Sequence, residues 1–487
     1  MKLFISILFF FVIDMSSEST KKWLEEDPLK DIEKKTLEIK ETSILTLTKV
    51  YEIVEINFSL LAAALEDLNV ARGELLSAKG AFDGNFRTSI TNNSGYYDNQ
   101  RFDSMVNQPT QYQGTSFFAG YRLGAGSFPP YYGERITNQY GEVRAGARIP
   151  LIRDREIDKG RAEIKEAEIG MRLADLSVTQ QKIEIFRGSA LRYWDWIASV
   201  ERYKVAKTLY EIAKTRQDQI IKRVKAGDIA NIEKTDNERI ILQREAQLLS
   251  AKQFLEVASN ELAVFLQKGD GKLPKLGAEL IPKNPFQQIP DLVNLDLEKA
   301  TYKALDKRPE LMRLKAQRDQ NKVEEELAKN QMKPGVDFII AGSQDFGPGS
   351  VTRSKQEIEA TVVLNIPLQT RTQRGKITTL EAKNAKLFSQ EKFARDRIEA
   401  DIKNTYALLE VTRERAKLAS KEVELAKKLE KGELDKFILG EGTLILVNIR
   451  EQTTAEAQVR EIDALTDHNK AIIQFQSAIL ELPPLKK

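Results

Sequence analysis

Few side chains in this chain could carry covalent chemistry. Its 487 residues include no cysteine and one histidine, His468. A thiolate nucleophile, a cysteine metal site and a disulfide framework are therefore excluded. Nucleophilic catalysis needs a base beside an activated nucleophile, and a single histidine in a helical stretch near the C-terminus reads as a seam or surface residue instead. No Gly-x-x-x-x-Gly-Lys-[Ser/Thr] phosphate loop is present. The sequence thus points to no enzyme, no cofactor and no metal. Lys+Arg total 75 and Asp+Glu 72, a net charge of +3. Such mixed charge reads as the solvated face of long helices, with no nucleic-acid partner.

The informative residues do mechanical work: glycines at turns, and strands with two chemically different faces. Gly160 and Gly227 are separated by 67 positions, as are Gly375 and Gly442, and one offset of 215 maps the first pair onto the second. Ile149-Pro150-Leu151 and Ile366-Pro367-Leu368 precede the two spans. Such internal repetition implies two near-equivalent halves. No proline occurs between Pro150 and Pro274 or between Pro367 and Pro483. Because an interior proline costs a helix about 3 kcal/mol, each span predicts one very long helix, over 160–226 and 375–441. Apolar residues at spacings of three and four (Val205, Leu209, Ile212; Ile398, Ile402, Tyr406, Leu409) form a coiled-coil stripe. At about 1.5 Å per residue such a helix is roughly 100 Å long. Each long helix turns at a glycine tip and returns, over Ile232–Leu266 and Val447–Leu482.

Strands precede both long helices. Ile358, Ala360, Val362, Leu364 and Ile366 alternate with Glu359, Thr361 and Asn365, and Val143, Ala145, Ala147 and Ile149 alternate with Glu142, Arg144 and Arg148. Period two with one apolar face is the signature of a strand and also the pattern of a membrane barrel. Outgoing strands are expected at Asn85–Thr91 and Val336–Ile340, giving β-hairpins at about 82–150 and 334–367. The first is much the longer, and its extra residues (Gly95-Tyr96-Tyr97, Gln111-Tyr112-Gln113-Gly114) suit an exposed loop or a short extra hairpin.

The organisation read along the chain is a signal peptide at 1–17 (Lys2, then the apolar run Leu3–Ile13), a peripheral segment at 18–44, a first repeat at 45–267, a proline-bearing connector at 268–296, a second repeat at 297–482 and a tail at 483–487. No apolar stretch reaches the length of a transmembrane helix, so membrane insertion would use strands. Two hairpins supply four strands per copy, too few to close a barrel, so several copies would share one.

The duplicated Ile-Pro-Leu, the segment Arg308-Pro309-Glu310-Leu311, and the tips Gly227-Asp228-Ile229-Ala230-Asn231-Ile232-Glu233 and Gly442-Thr443-Leu444-Ile445-Leu446-Val447-Asn448 together resemble the TolC family of outer-membrane efflux proteins, over about residues 45–482. The resemblance implies a mainly α fold with a small β part. It implies a homotrimer with a twelve-stranded barrel in the outer membrane and a helical tunnel across the periplasm, serving efflux or type I secretion. The implied partners are a periplasmic adaptor, an inner-membrane pump and outer-membrane lipid. By position, the adaptor-docking turns are Ala226, Gly227 and Asp228, and Leu439, Gly440, Glu441, Gly442 and Thr443. The family's acidic constriction inside the second tip matches Asn448 and Glu451, of which only Glu451 is acidic; a ring of Glu451 would favour cations. Glu233 matches the acid of the family's tip lock, but Leu444 stands where the arginine would be, leaving Arg450 and Arg223 as candidates for other contacts. The competing reading is a non-transporting helical scaffold or adhesin of the envelope. A periplasmic adaptor has only one such hairpin, which the duplication disfavours.

Overall fold

A computed structural model describes residues 44–129, 136–267, 273–287 and 296–482. The expected signal peptide, peripheral segment and tail, and parts of the connector, lie outside the described residues. In chain order the elements are α1 (Leu47–Asn57), α2 (Ser59–Lys79), β1 (Asn85–Asn93), β2 (Asn99–Pro109), β3 (Ser116–Gly126), β4 (Glu142–Pro150), α3 (Lys159–Lys225), α4 (Asn231–Ala263), α5 (Leu297–Lys307), α6 (Pro309–Gln331), β5 (Gly335–Asp345), β6 (Glu357–Asn365), α7 (Arg371–Ile438) and α8 (Leu444–Ala478). The long helices α3 and α7 run 67 and 68 residues. Pro309 opens α6 as its first residue and Arg308 before it is extended at ψ 122°, as the residue preceding a proline must be. Among the described residues no helix is long and apolar enough to cross a membrane.

The chain divides into two compact units. Among the described residues, one comprises 64–180 and 307–397; the other comprises 44–63, 181–306 and 398–482.

The first unit holds the sheet. All six strands form one antiparallel sheet in the order β1-β2-β3-β4-β5-β6. This corrects the expected strand count: the first half supplies four strands, and the insertion is a full hairpin, β2–β3, joined in register to β1 (Asn85↔Asn107) and to β4 (Ser116↔Arg148). The pairing of β4 with β5 joins the two halves (Glu142↔Asp345 to Pro150↔Asp337). Registers also assign every side chain to a face. One row across the sheet runs Phe86, Val106, Ala119, Ala145, Gly342, Ile358. The rest of that face is apolar or uncharged, and much of it is bare: Ile90 is 78% exposed, Ile358 82% and Val362 63%. The opposite face carries all the charged strand residues: Arg87 on β1; Arg101 and Asp103 on β2; Arg122 on β3; Glu142, Arg144 and Arg148 on β4; Asp337 and Asp345 on β5; Glu357 and Glu359 on β6. They pair among themselves, Arg144 with Glu359 at 2.9 Å, Arg148 with Asp337 at 2.5 Å and Arg122 with Glu142.

At the helix end of the sheet, the Leu151 N–H donates to the Val336 carbonyl at 2.8 Å, and Asp154, left-handed at φ 67°, donates its N–H to the buried Asn330 side chain at 2.9 Å. Arg161 binds the Asp158 carboxylate at 2.7 Å and the Asp154 carbonyl. These bonds fix how β4 turns into α3.

The second unit has a conventional core where α1, α3, α4 and α8 meet. Val50, Val54, Phe186, Trp194, Trp196, Ile197, Leu262 and Ile473 are fully buried. Tyr193 donates to the Leu45 carbonyl at 3.0 Å, and burial raises the Tyr51 phenol above its usual range. His468 lies 3.4 Å from the Thr412 hydroxyl, a seam position between α7 and α8.

Candidate functional site: the helix tips and a buried arginine–carboxylate cluster

The two tips, both in the second unit, are built alike. At the end of α3, Gly227 is left-handed (φ 82°); its N–H donates to the Val224 carbonyl at 3.0 Å and that of Asp228 to Arg223 at 3.0 Å. At the end of α7, Gly440 is left-handed (φ 83°), with Gly440 N–H to Phe437 at 3.1 Å and Glu441 N–H to Lys436 at 2.9 Å. Both are Schellman motifs, which need a residue free to adopt positive φ. The structural equivalent of Gly227 is therefore Gly440, two residues before the Gly442 that the repeat offset selects. Ala230 and Thr443 then cap α4 and α8, each three residues past its glycine.

The turn residues Ala226, Gly227, Asp228, Leu439, Gly440, Glu441 and Thr443 are exposed, and Gly442 is half-buried. Large apolar side chains cluster with them: Leu439 is 75% exposed, Ile438 71% and Ile232 69%. Glu233 lies half-buried in the first turn of α4, where its charge complements the helix dipole. Leu444 opens α8. The Arg223 guanidinium stacks over the Phe437 ring at 5.9 Å, joining the ends of α3 and α7. Arg450 is half-buried.

Asn448 and Glu451, expected at a constriction, are both buried. Glu451 is not a free carboxylate. Arg216 of α3 donates to it through Nη1 (to Oε2, 3.0 Å) and through Nη2 (to Oε1), and to Asn448 Oδ1 at 2.6 Å. Arg244 of α4 donates to Glu451 Oε2 at 3.0 Å and to the Leu209 carbonyl at 3.0 Å. Side-chain exposures are 12% for Arg216, 3% for Arg244 and 5% for Glu451. Burial lowers the pKa of Arg244, with the Glu451 bond opposing the shift. Alongside, Asn237 of α4 donates to the Ala213 carbonyl at 3.3 Å and to Gln217 at 2.6 Å.

Within one copy two guanidinium groups pair the Glu451 carboxylate. Arg216 and Arg244 are absent from the sequence reading, although a signal existed. Arg216 interrupts the apolar series Leu209, Ala213, Ile220, and Arg244 follows buried Asn237 and Ile240 at the same helical spacing. Both arginines occupy seam positions, where a charge implies a buried partner. The cluster ties α3 and α4, from the first half, to α8, from the second. Among the described residues no group of acidic, histidine or cysteine side chains could hold a metal.

Comparison with solved structures decides the fold. The chain matches CusC, in structures of its folding and transmembrane channel formation, at TM-score 0.63 and 11% identity, over 92% of this chain and 95% of that one. It matches the open state of the Neisseria gonorrhoeae MtrE outer membrane channel at TM-score 0.62 and 12% identity, over 92% and 94%. The outer membrane protein VceC from Vibrio cholerae matches at 0.60 and 13%, over 89% and 95%. The fold is that of the TolC-type outer-membrane channels. The mainly α architecture with a small β part is thereby borne out. No family model matches the chain, and no curated protein matches it. Within the TolC-type fold, the tips described above close the two helical hairpins, and the arginine–carboxylate cluster lies close behind the second tip in sequence.

Proposed function

We propose that this protein is the outer-membrane exit duct of a tripartite efflux or type I secretion system: a homotrimeric channel-tunnel anchored in outer-membrane lipid and extending into the periplasm. It conducts passively and is opened when a periplasmic adaptor and an inner-membrane pump engage its tips. The observation that carries this reading is the sheet. Its strands are 9 to 11 residues long, the length a tilted strand needs to cross a bilayer. One face is uncharged, largely apolar and in large part bare, and the other carries all the strand charges. A soluble protein would cover such a face; in lipid it meets hydrocarbon while the charged face lines water.

The tips supply the rest of the reading. Their exposed isoleucine and leucine side chains suit docking of an apolar helical partner at Ala226–Asp228 and Leu439–Thr443. The cluster of Arg216, Arg244, Asn448 and Glu451 serves as the closed-state latch, in place of the Glu233-centred pair that the resemblance implies. Planar-bilayer recording of the purified protein tests the duct: single-channel steps are expected. A correctly assembled protein that passes no current would favour the helical scaffold or adhesin.

A further inference from the structure

Among the described residues, the sheet of each copy has six strands and two open edges. We infer that β6 of one copy pairs with β1 of the next, so that three copies close an eighteen-stranded, porin-scale barrel instead of the twelve-stranded one that four strands per copy would give. The copy number rests on the proposed trimeric duct; the six strands per copy and the edge pairing do not.

Three observations carry this. First, β2–β3 is part of the wall and not a flap over it. β2 pairs with β1 over Asn99–Asn107 and β3 with β4 over Ser116–Arg122, and the apolar row from Phe86 to Ile358 crosses all six strands without a break in face. Second, the outer strands carry neither the prolines, the lysines nor the bulges that commonly keep a soluble edge unpaired. β1 (Asn85–Asn93) and β6 (Glu357–Asn365) contain no proline and no lysine, and each pairs with its inner neighbour residue for residue, without a bulge. Edges of this kind pair with another chain, and in lipid they must. The copies also suit each other, since β1 runs away from the helices and β6 returns to them, so the junction is antiparallel. Arg87 on β1 is opposite in sign to Glu357 and Glu359 on β6, on the same polar face.

Third, the widths agree. With strands about 4.8 Å apart and tilted about 40°, each occupies roughly 6 Å of circumference, so six span about 38 Å. Four helices of the same unit (α2, the start of α3, α6 and the start of α7), packed about 10 Å apart, span about 40 Å. Four strands would span only about 25 Å by the same spacing. Six strands therefore match the arc of the helices that feed them. By the same spacing an eighteen-stranded wall has a backbone diameter of about 36 Å, against about 24 Å for twelve strands, within the range in which barrels leave an aqueous channel.

The chain has no cysteine, which makes disulfide scanning clean. Ser89→Cys on β1 is combined in turn with Glu357→Cys, Glu359→Cys, Thr361→Cys or Val363→Cys on β6. The variants are oxidised in outer-membrane preparations and the denatured products counted. The inference expects at least one pair to give a covalent ladder ending at three copies. A ladder ending at two or four copies overturns it, as does the lack of any cross-link in variants that still conduct. A three-copy ladder without current supports the barrel and sinks the duct. Electron-microscopic reconstruction of the unmodified protein in nanodiscs guards against misfolded variants: eighteen strands support the inference, and twelve overturn it.

Discussion

Replacing Glu451 with glutamine keeps the shape of the side chain and removes the one carboxylate shared by Arg216 and Arg244. Both guanidinium groups then lie buried without their counter-ion, Arg244 at 3% exposure and Arg216 at 12%. Breaking a buried pair in this way costs about 3–5 kcal/mol, most of it the penalty of the stranded charge. The cluster is one link between α3, α4 and α8, beside the Arg202–Asp463 and Lys470–Asp195 pairs, so the loss falls on the contact between the two helical hairpins. If only 1.4 kcal/mol of it reaches the equilibrium between closed and open tips, the open population rises tenfold. E451Q is therefore expected to melt at lower temperature in detergent and to show at least tenfold higher open probability in planar bilayers. The triple replacement Arg216→Met, Arg244→Met, Glu451→Met removes the stranded charges and should recover much of the melting temperature. Parental melting and parental open probability in E451Q would refute the latch.

Other perturbations separate the remaining parts of the structure. Val362→Lys places a charge on the bare apolar face and should cost about 2–4 kcal/mol near mid-membrane, abolishing insertion, whereas Thr361→Lys on the polar face should insert normally; membrane extraction followed by blotting distinguishes them. Gly440→Ala forces a side chain into a left-handed position and should cost about 1–2 kcal/mol, seen as faster amide exchange around the second tip. Trp196→Ala empties the fully buried core beside α1 and should cost about 3–5 kcal/mol, lowering the melting temperature. Leu439→Asp should weaken capture of the periplasmic adaptor in cross-linking assays while leaving single-channel conductance unchanged.

The long helices were legible because proline is excluded from helix interiors, and two proline-free spans with a coiled-coil stripe leave little else to form. β6 was legible because Ile358, Val362 and Leu364 alternate with Glu359 and Thr361. β2 and β3 were not. Gly120, Gly124 and Gly126 lie within β3, and Asn99, Gln100, Asn107 and Gln108 stand at the two ends of β2, so local composition does not choose between loop and strand, while pairing on both sides fixes these strands in the sheet. The tip equivalence also escaped the repeat offset: Gly440 and Gly442 are both present, and only the backbone conformation distinguishes the C-cap glycine from its neighbour. The latch was half visible. Glu451 was singled out by position, but its partners come from α3 and α4, more than two hundred residues away in sequence, and no local pattern brings them together.

The most direct test asks which face of the sheet meets water. In the cysteine-free background, Thr361→Cys and Val362→Cys are adjacent on β6 but on opposite faces. After reconstitution, a membrane-impermeant thiol reagent should label Cys introduced at 361 and reduce the single-channel current, while the same change at 362 stays unlabelled and conducts as the parent does. Equal labelling at both positions, with no effect on current, would contradict a water-filled barrel lined by the charged face.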